Sequence, residues 1–129
     1  MAPDREIPQN VLRFIGGNID DVPQLETLLM LSADPGRDWL VGEVAARNYV
    51  TEQRAEAILN ALQRRGLIAS AGSPLRFRFA PATPDVRALV AEVATFYQGN
   101  LARIATLIHS KPAASITEFA RAFDLKKDR

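Results

Sequence analysis

The sequence contains no cysteine, one histidine, two methionines and one tryptophan. Without cysteine there is no disulfide framework, no thiolate nucleophile and no cysteine-held zinc. The single histidine, His109, leaves at most one imidazole for acid–base chemistry. No apolar run approaches the ~20 residues that a bilayer-spanning helix needs. The opening residues, MAPDREIPQN, have neither the basic start nor the apolar stretch of an export signal. These absences predict a cytoplasmic protein with no membrane partner. No residue constellation in the sequence points to catalysis, a cofactor or a metal, so none of these is expected and the chain is not expected to be an enzyme.

A strong charge of one sign is missing too. Sixteen Lys and Arg stand against 15 Asp and Glu, for a net charge of +1. That balance excludes a strongly basic nucleic-acid wrapper and a highly charged disordered chain. It conceals a gradient, however. Residues 1–40 carry three basic and seven acidic side chains, residues 41–80 six and three, and residues 81–129 seven and five. The modestly positive middle permits contact with a phosphate backbone, and it equally fits an ordinary solvated surface. With 129 residues, 47% of them hydrophobic, the chain can bury a core without staples.

Punctuation residues divide the chain. A first helix is expected from Ile7 or Pro8 to Ile15, stopped by Gly16-Gly17. Asp21 is a helix cap, with Pro23 in the first turn and Gln24 in the capping-box position, opening a Leu-rich helix that ends at Asp34-Pro35-Gly36. Adjacent Asp20 and Asp21 have no third ligand in register, so capping is preferred to a metal pair. Trp39-Leu40-Val41 reads as a bridging strand, Gly42 to Asn48 as a short helix, and Thr51 to Arg65 as a longer one capped by Thr51 and ended by Gly66. Leu67–Ala69 and Leu75–Phe79 form a β-hairpin around Ala71-Gly72-Ser73-Pro74. Its alternation puts Leu75, Phe77 and Phe79 on one face and Arg76 and Arg78 on the other.

Beyond the linker Ala80–Pro84, Thr83 and Pro84 open a helix that runs to about His109, roughly 38 Å at 1.5 Å per residue. A tail helix over Ser115–Phe123 follows, then Lys126, Lys127 and Arg129. The expected fold is mainly α with a small β-hairpin, divided into residues 1–80 and a helical segment 81–129.

Within residues 51–65, Ala55, Ile58, Leu59 and Leu62 share one helical face. Gln53, Ala57, Asn60 and Arg64 point away from it, flanked by Arg54 and Glu56. Gln and Asn can read adenine, Ala can meet a thymine methyl, and Arg can take phosphate or guanine. Residues 41–68 also resemble the winged helix-turn-helix of MarR-like transcriptional regulators. The match lies in Val41, Val44 and Ala45 of the short helix, Val50 and Thr51 at the start of the next, and the ending Arg64-Arg65-Gly66-Leu67-Ile68. The order of a Leu-rich helix, Arg37-x-Trp39, the Pro81–Pro84 linker, Tyr97, Phe119 and Phe123 is also similar to a group of small uncharacterised bacterial proteins.

The MarR-like resemblance implies a DNA-binding regulator that reads double-stranded DNA with Gln53, Arg54, Ala57, Asn60 and Arg64 in the major groove and with Arg76 and Arg78 on the wing. It further implies a homodimer held by the apolar stripe Val86, Val90, Val93, Tyr97, Leu101, Ile104 and Ile108. The same stripe equally suits packing inside the chain. Glu52 and Glu56 favour an alternative, a module that docks a protein partner through the same surface.

Overall fold

The computed structural model describes residues 7–110. Their order is α1 (Gln9–Asn18), α2 (Val22–Ala33), β1 (Trp39–Leu40), α3 (Val41–Asn48), α4 (Glu52–Arg64), β2 (Ile68–Ala71), β3 (Arg76–Phe79), α5 (Pro84–Gly99) and α6 (Leu101–Ser110). The strands form an antiparallel sheet in the order β1-β3-β2, with Trp39 opposite Phe77 and Ile68 opposite Phe79. One buried cluster joins the sheet to all six helices, and Trp39, Phe77, Leu28, Leu59 and Ile104 are among its residues. The 80/81 boundary falls in the segment between β3 and α5.

Local chemistry sets most helix ends. Asp21 accepts from the Gln24 amide, Thr51 from Arg54 and Thr83 from Val86. Each bond satisfies one of the amides that a helix start leaves unpaired. Gln24 reaches back to the Asp20 amide at 2.9 Å, one residue earlier than a standard capping box. At the far end of α4, Gly66 takes φ 76°, while Gly66 and Leu67 donate to Gln63 and Leu62. This Schellman closure turns the chain straight into β2.

Several expectations are corrected. α1 passes through Gly16 and Gly17 and ends at Asn18. Both glycines are solvent-facing with nothing within 4 Å of a built Cβ. Their propensity cost of about 1 kcal/mol each is offset by the burial of Val11, Phe14 and Ile15. Val41 begins α3 and does not extend β1. Leu75 does not join Phe77 and Phe79 inside; it precedes β3 and is 47% exposed.

The largest correction concerns the long helix, which is two. Asn100 leaves helical geometry at φ −141°, its side chain donates to the Phe96 carbonyl, and its own carbonyl accepts from Ile104. One asparagine therefore closes α5 and opens α6. The expected tail helix and the cations Lys126, Lys127 and Arg129 lie outside the described residues.

α5 lies against α1 and α2. Between α5 and α2, the Tyr97 hydroxyl donates to the Glu26 carboxylate at 3.2 Å. Partial burial, reinforced by the charge of Glu26 and this hydrogen bond, pushes the phenol up to about 12. A folded-state value above the unfolded one favours the protonated phenol. Its contribution is complete below the unfolded value near pH ~10. It is lost as pH rises through about 12. In alkaline unfolding curves Tyr97→Phe should lack this loss, and equal pH dependence in both proteins would contradict it.

Candidate nucleic-acid interface

Ala55, Ile58, Leu59, Ala61 and Leu62 are buried on α4, which packs against α2 and α3 and leads into β2. That burial leaves Gln53, Arg54, Glu56, Ala57, Asn60, Gln63 and Arg64 exposed. The structure thus brings all five residues expected to meet a major groove onto the solvent side of one helix. Gln63, which the periodicity left unassigned, joins Asn60, Arg64 and Ser70 around a polar depression between α4 and β2.

Arg76 and Arg78 are exposed on the outer face of the sheet, opposite Ala71 and Ala69. Asp38 lies with them, accepting from Arg78 Nε at 2.8 Å. The hydrogen bond from Arg78 and the charges of Arg78 and Arg76 lower the Asp38 carboxyl, and the same contact raises the Arg78 guanidinium.

The arginines divide by what holds them. Arg65 reaches the Asn18 carbonyl, Gln24 Oε1 at 3.1 Å and Asp20 at 3.2 Å, tying the end of α4 to the α1–α2 turn. Arg54 pairs with Asp21 at 2.5 Å. Arg37 lies 3.6 Å from the centroid of Trp39, with Arg47 at 5.2 Å. Arg64 and Arg76 form no ion pair among the described residues. Glu52 also has a structural place, its carboxylate 3.1 Å from a Cβ built on Gly42 at the amino end of α3. A negative charge there complements the helix dipole.

Tyr49, between α3 and α4, was not singled out by sequence. It is 94% exposed and takes the left-handed conformation at φ 58°. The reversal is closed by the Val50 amide on the Ala45 carbonyl. Only a glycine or asparagine at this position would have announced it. Tyr49 borders a groove of about 820 Å³ between α2 and α5, walled by Leu29, Met30, Phe79 and Tyr97 and edged by Arg87.

The seven residues expected to hold a dimer are split. Val90, Val93, Ile104 and Ile108 are buried in the chain's own core, Val86 and Tyr97 are half-buried, and Leu101 is 53% exposed. The break at Asn100 separates the stripe into two helices, each buried along part of its length. Among the described residues no group of acidic or histidine side chains can hold a metal, and no helix is long and apolar enough to cross a membrane.

No protein-family model matches the sequence, and a search of curated proteins finds no significant match. Solved structures do match. The Mycobacterium tuberculosis transcriptional regulator MosR is 22% identical, with a TM-score of 0.54 over 92% of this chain and 83% of its own. A MarR family protein of the same organism is 24% identical, with a TM-score of 0.52 over 92% of this chain and 82% of its own. A homodimeric winged helix-turn-helix DNA-binding domain from Mycobacterium bovis is 22% identical, with a TM-score of 0.54 over 78% and 94%. The fold is a winged helix-turn-helix. In it α3 and α4 are the helix-turn-helix and β2–β3 is the wing.

This geometry separates structural from available cations on the winged helix. Arg65→Ala should lower folding stability by about 1–3 kcal/mol, because it removes the donor to the partly buried Asn18 carbonyl and a second donor to Gln24 Oε1. Arg64→Ala should stay within about 0.5 kcal/mol of the parent. Denaturant unfolding measures both, and equal losses would contradict the division.

Proposed function

We propose that this protein is a non-enzymatic transcriptional regulator that binds double-stranded DNA as a homodimer. α4 enters the major groove and the wing lies along the adjacent backbone. The observation that carries this reading is the exposed face of α4, where Gln53, Ala57, Asn60 and Arg64 project together from a rigidly packed helix. Gln53 and Asn60 offer paired donors and acceptors to base edges, Ala57 fits a thymine methyl, and Arg64 takes phosphate or guanine. Arg76 and Arg78 on the wing supply sequence-independent attraction. The neighbours with this fold support the reading, since MosR is described as a transcriptional regulator and the Mycobacterium bovis structure as a homodimeric winged helix-turn-helix DNA-binding domain.

Self-association follows from the need to double a modest contact. Residues 41–80 carry six arginines and three glutamates, and one such module neutralises few phosphates. A twofold dimer places two recognition helices about one DNA turn apart. The dimer surface in this reading is the terminal helical segment, where Leu101 stands clear of the core and Val86 and Tyr97 are half-covered.

Arg76→Ala should weaken binding to every duplex and reduce the salt slope by about one, whereas Asn60→Ala should chiefly relax sequence preference. Titrations of genomic and random-sequence duplexes over a salt series measure both. Absence of DNA binding at low salt would contradict the reading.

A further inference from the structure

Both elements that meet DNA in the proposed reading carry an arginine already held by an aspartate from elsewhere in the chain. On α4, Arg54 pairs with Asp21 at 2.5 Å. On the wing, Arg78 pairs with Asp38 at 2.8 Å. Asp21 stands just ahead of α2 and Asp38 just ahead of β1, so each carboxylate reaches its arginine from a different element of the fold. We infer that Asp21 and Asp38 determine how weakly this protein binds non-cognate DNA, each occupying, in the free protein, a guanidinium that would otherwise take a backbone phosphate.

The argument rests on what each contact does without DNA. Both pairs are substantially exposed, with side-chain accessibilities of 48% and 33% for Arg54 and Asp21 and 51% and 46% for Arg78 and Asp38. Exposed ion pairs contribute little to folding. Their larger effect falls on the surface charge. A carboxylate on a guanidinium occupies the place of a phosphate oxygen and makes the same charge-assisted hydrogen bond. To contact DNA the arginine must leave the carboxylate or bring it close to the phosphates, and either lowers the affinity. This loss is independent of base sequence, as phosphate attraction is. Gln53, Ala57 and Asn60 are untouched by it. Occupancy of DNA then depends more heavily on base contacts than the number of wing and helix arginines implies.

The inference builds on the DNA-binding reading, and its test separates the two. The probe is a random-sequence duplex titrated over a salt series. Asp38→Asn should bind about three- to tenfold more tightly than the parent, with a salt slope steeper by about one. The double variant Asp38→Asn, Arg78→Ala should lose that gain. Asp21→Asn should behave like Asp38→Asn, because asparagine keeps the cap on α2 while discarding the charge. Asp34→Asn is the control, since it changes the net charge equally and Asp34 forms no ion pair among the described residues.

Unchanged or weaker binding by both variants, alongside a parent that binds, overturns the inference and leaves the DNA reading intact. An equal gain in Asp34→Asn also overturns it. A parent that binds no duplex removes both.

Discussion

The structure depends on the burial of one face of α4. Ala55, Ile58, Leu59 and Leu62 are almost fully enclosed, and each large side chain among them contributes about 1.5–3 kcal/mol on leaving water. Because a helix is rigid, fixing that face also fixes the opposite one. Gln53, Ala57, Asn60 and Arg64 are presented to solvent as a consequence of core packing, with no further device to orient them. The Schellman closure at Gly66 then delivers the chain to the hairpin, so that the exposed helix face and the wing are set by one rigid unit.

The charges on this unit are sorted by their partners. Arg65 serves the fold, bracing the α1–α2 turn against the end of α4. Arg54 and Arg78 are neutralised by aspartates, while Arg64 and Arg76 form no ion pair among the described residues. Glu52 sits over the amino end of α3. Glu56 is exposed on the solvent side of α4 and belongs to no ion pair among the described residues. The surface therefore offers directional groups on a weakly charged background, which suits a binder that relies on base contacts and on two copies acting together.

Much of this was legible in the sequence where the cause is local. The caps at Asp21, Thr51 and Thr83, the stop at Gly66 and the alternation of Phe77 and Phe79 with Arg76 and Arg78 need only neighbouring residues, and the structure has each of them. The helix break at Asn100 was hidden because Tyr97, Leu101, Ile104 and Ile108 keep helical spacing straight through it. Gly16 and Gly17 misled in the opposite sense, since tertiary burial on the far side of α1 outweighed their propensity. The aspartate–arginine pairs span 33 and 40 residues and exist only once α2 and the sheet are placed. The left-handed Tyr49 had no sequence signal at all, because the residue that usually marks that conformation is glycine.

The most direct measurement of the central claim is amide NMR of the protein titrated with duplex DNA. The account predicts that the largest shifts fall on α4 at Gln53, Ala57, Asn60 and Arg64 and on the wing at Arg76. Shifts confined to the groove around Leu29, Met30 and Tyr97, with α4 unmoved, would contradict it.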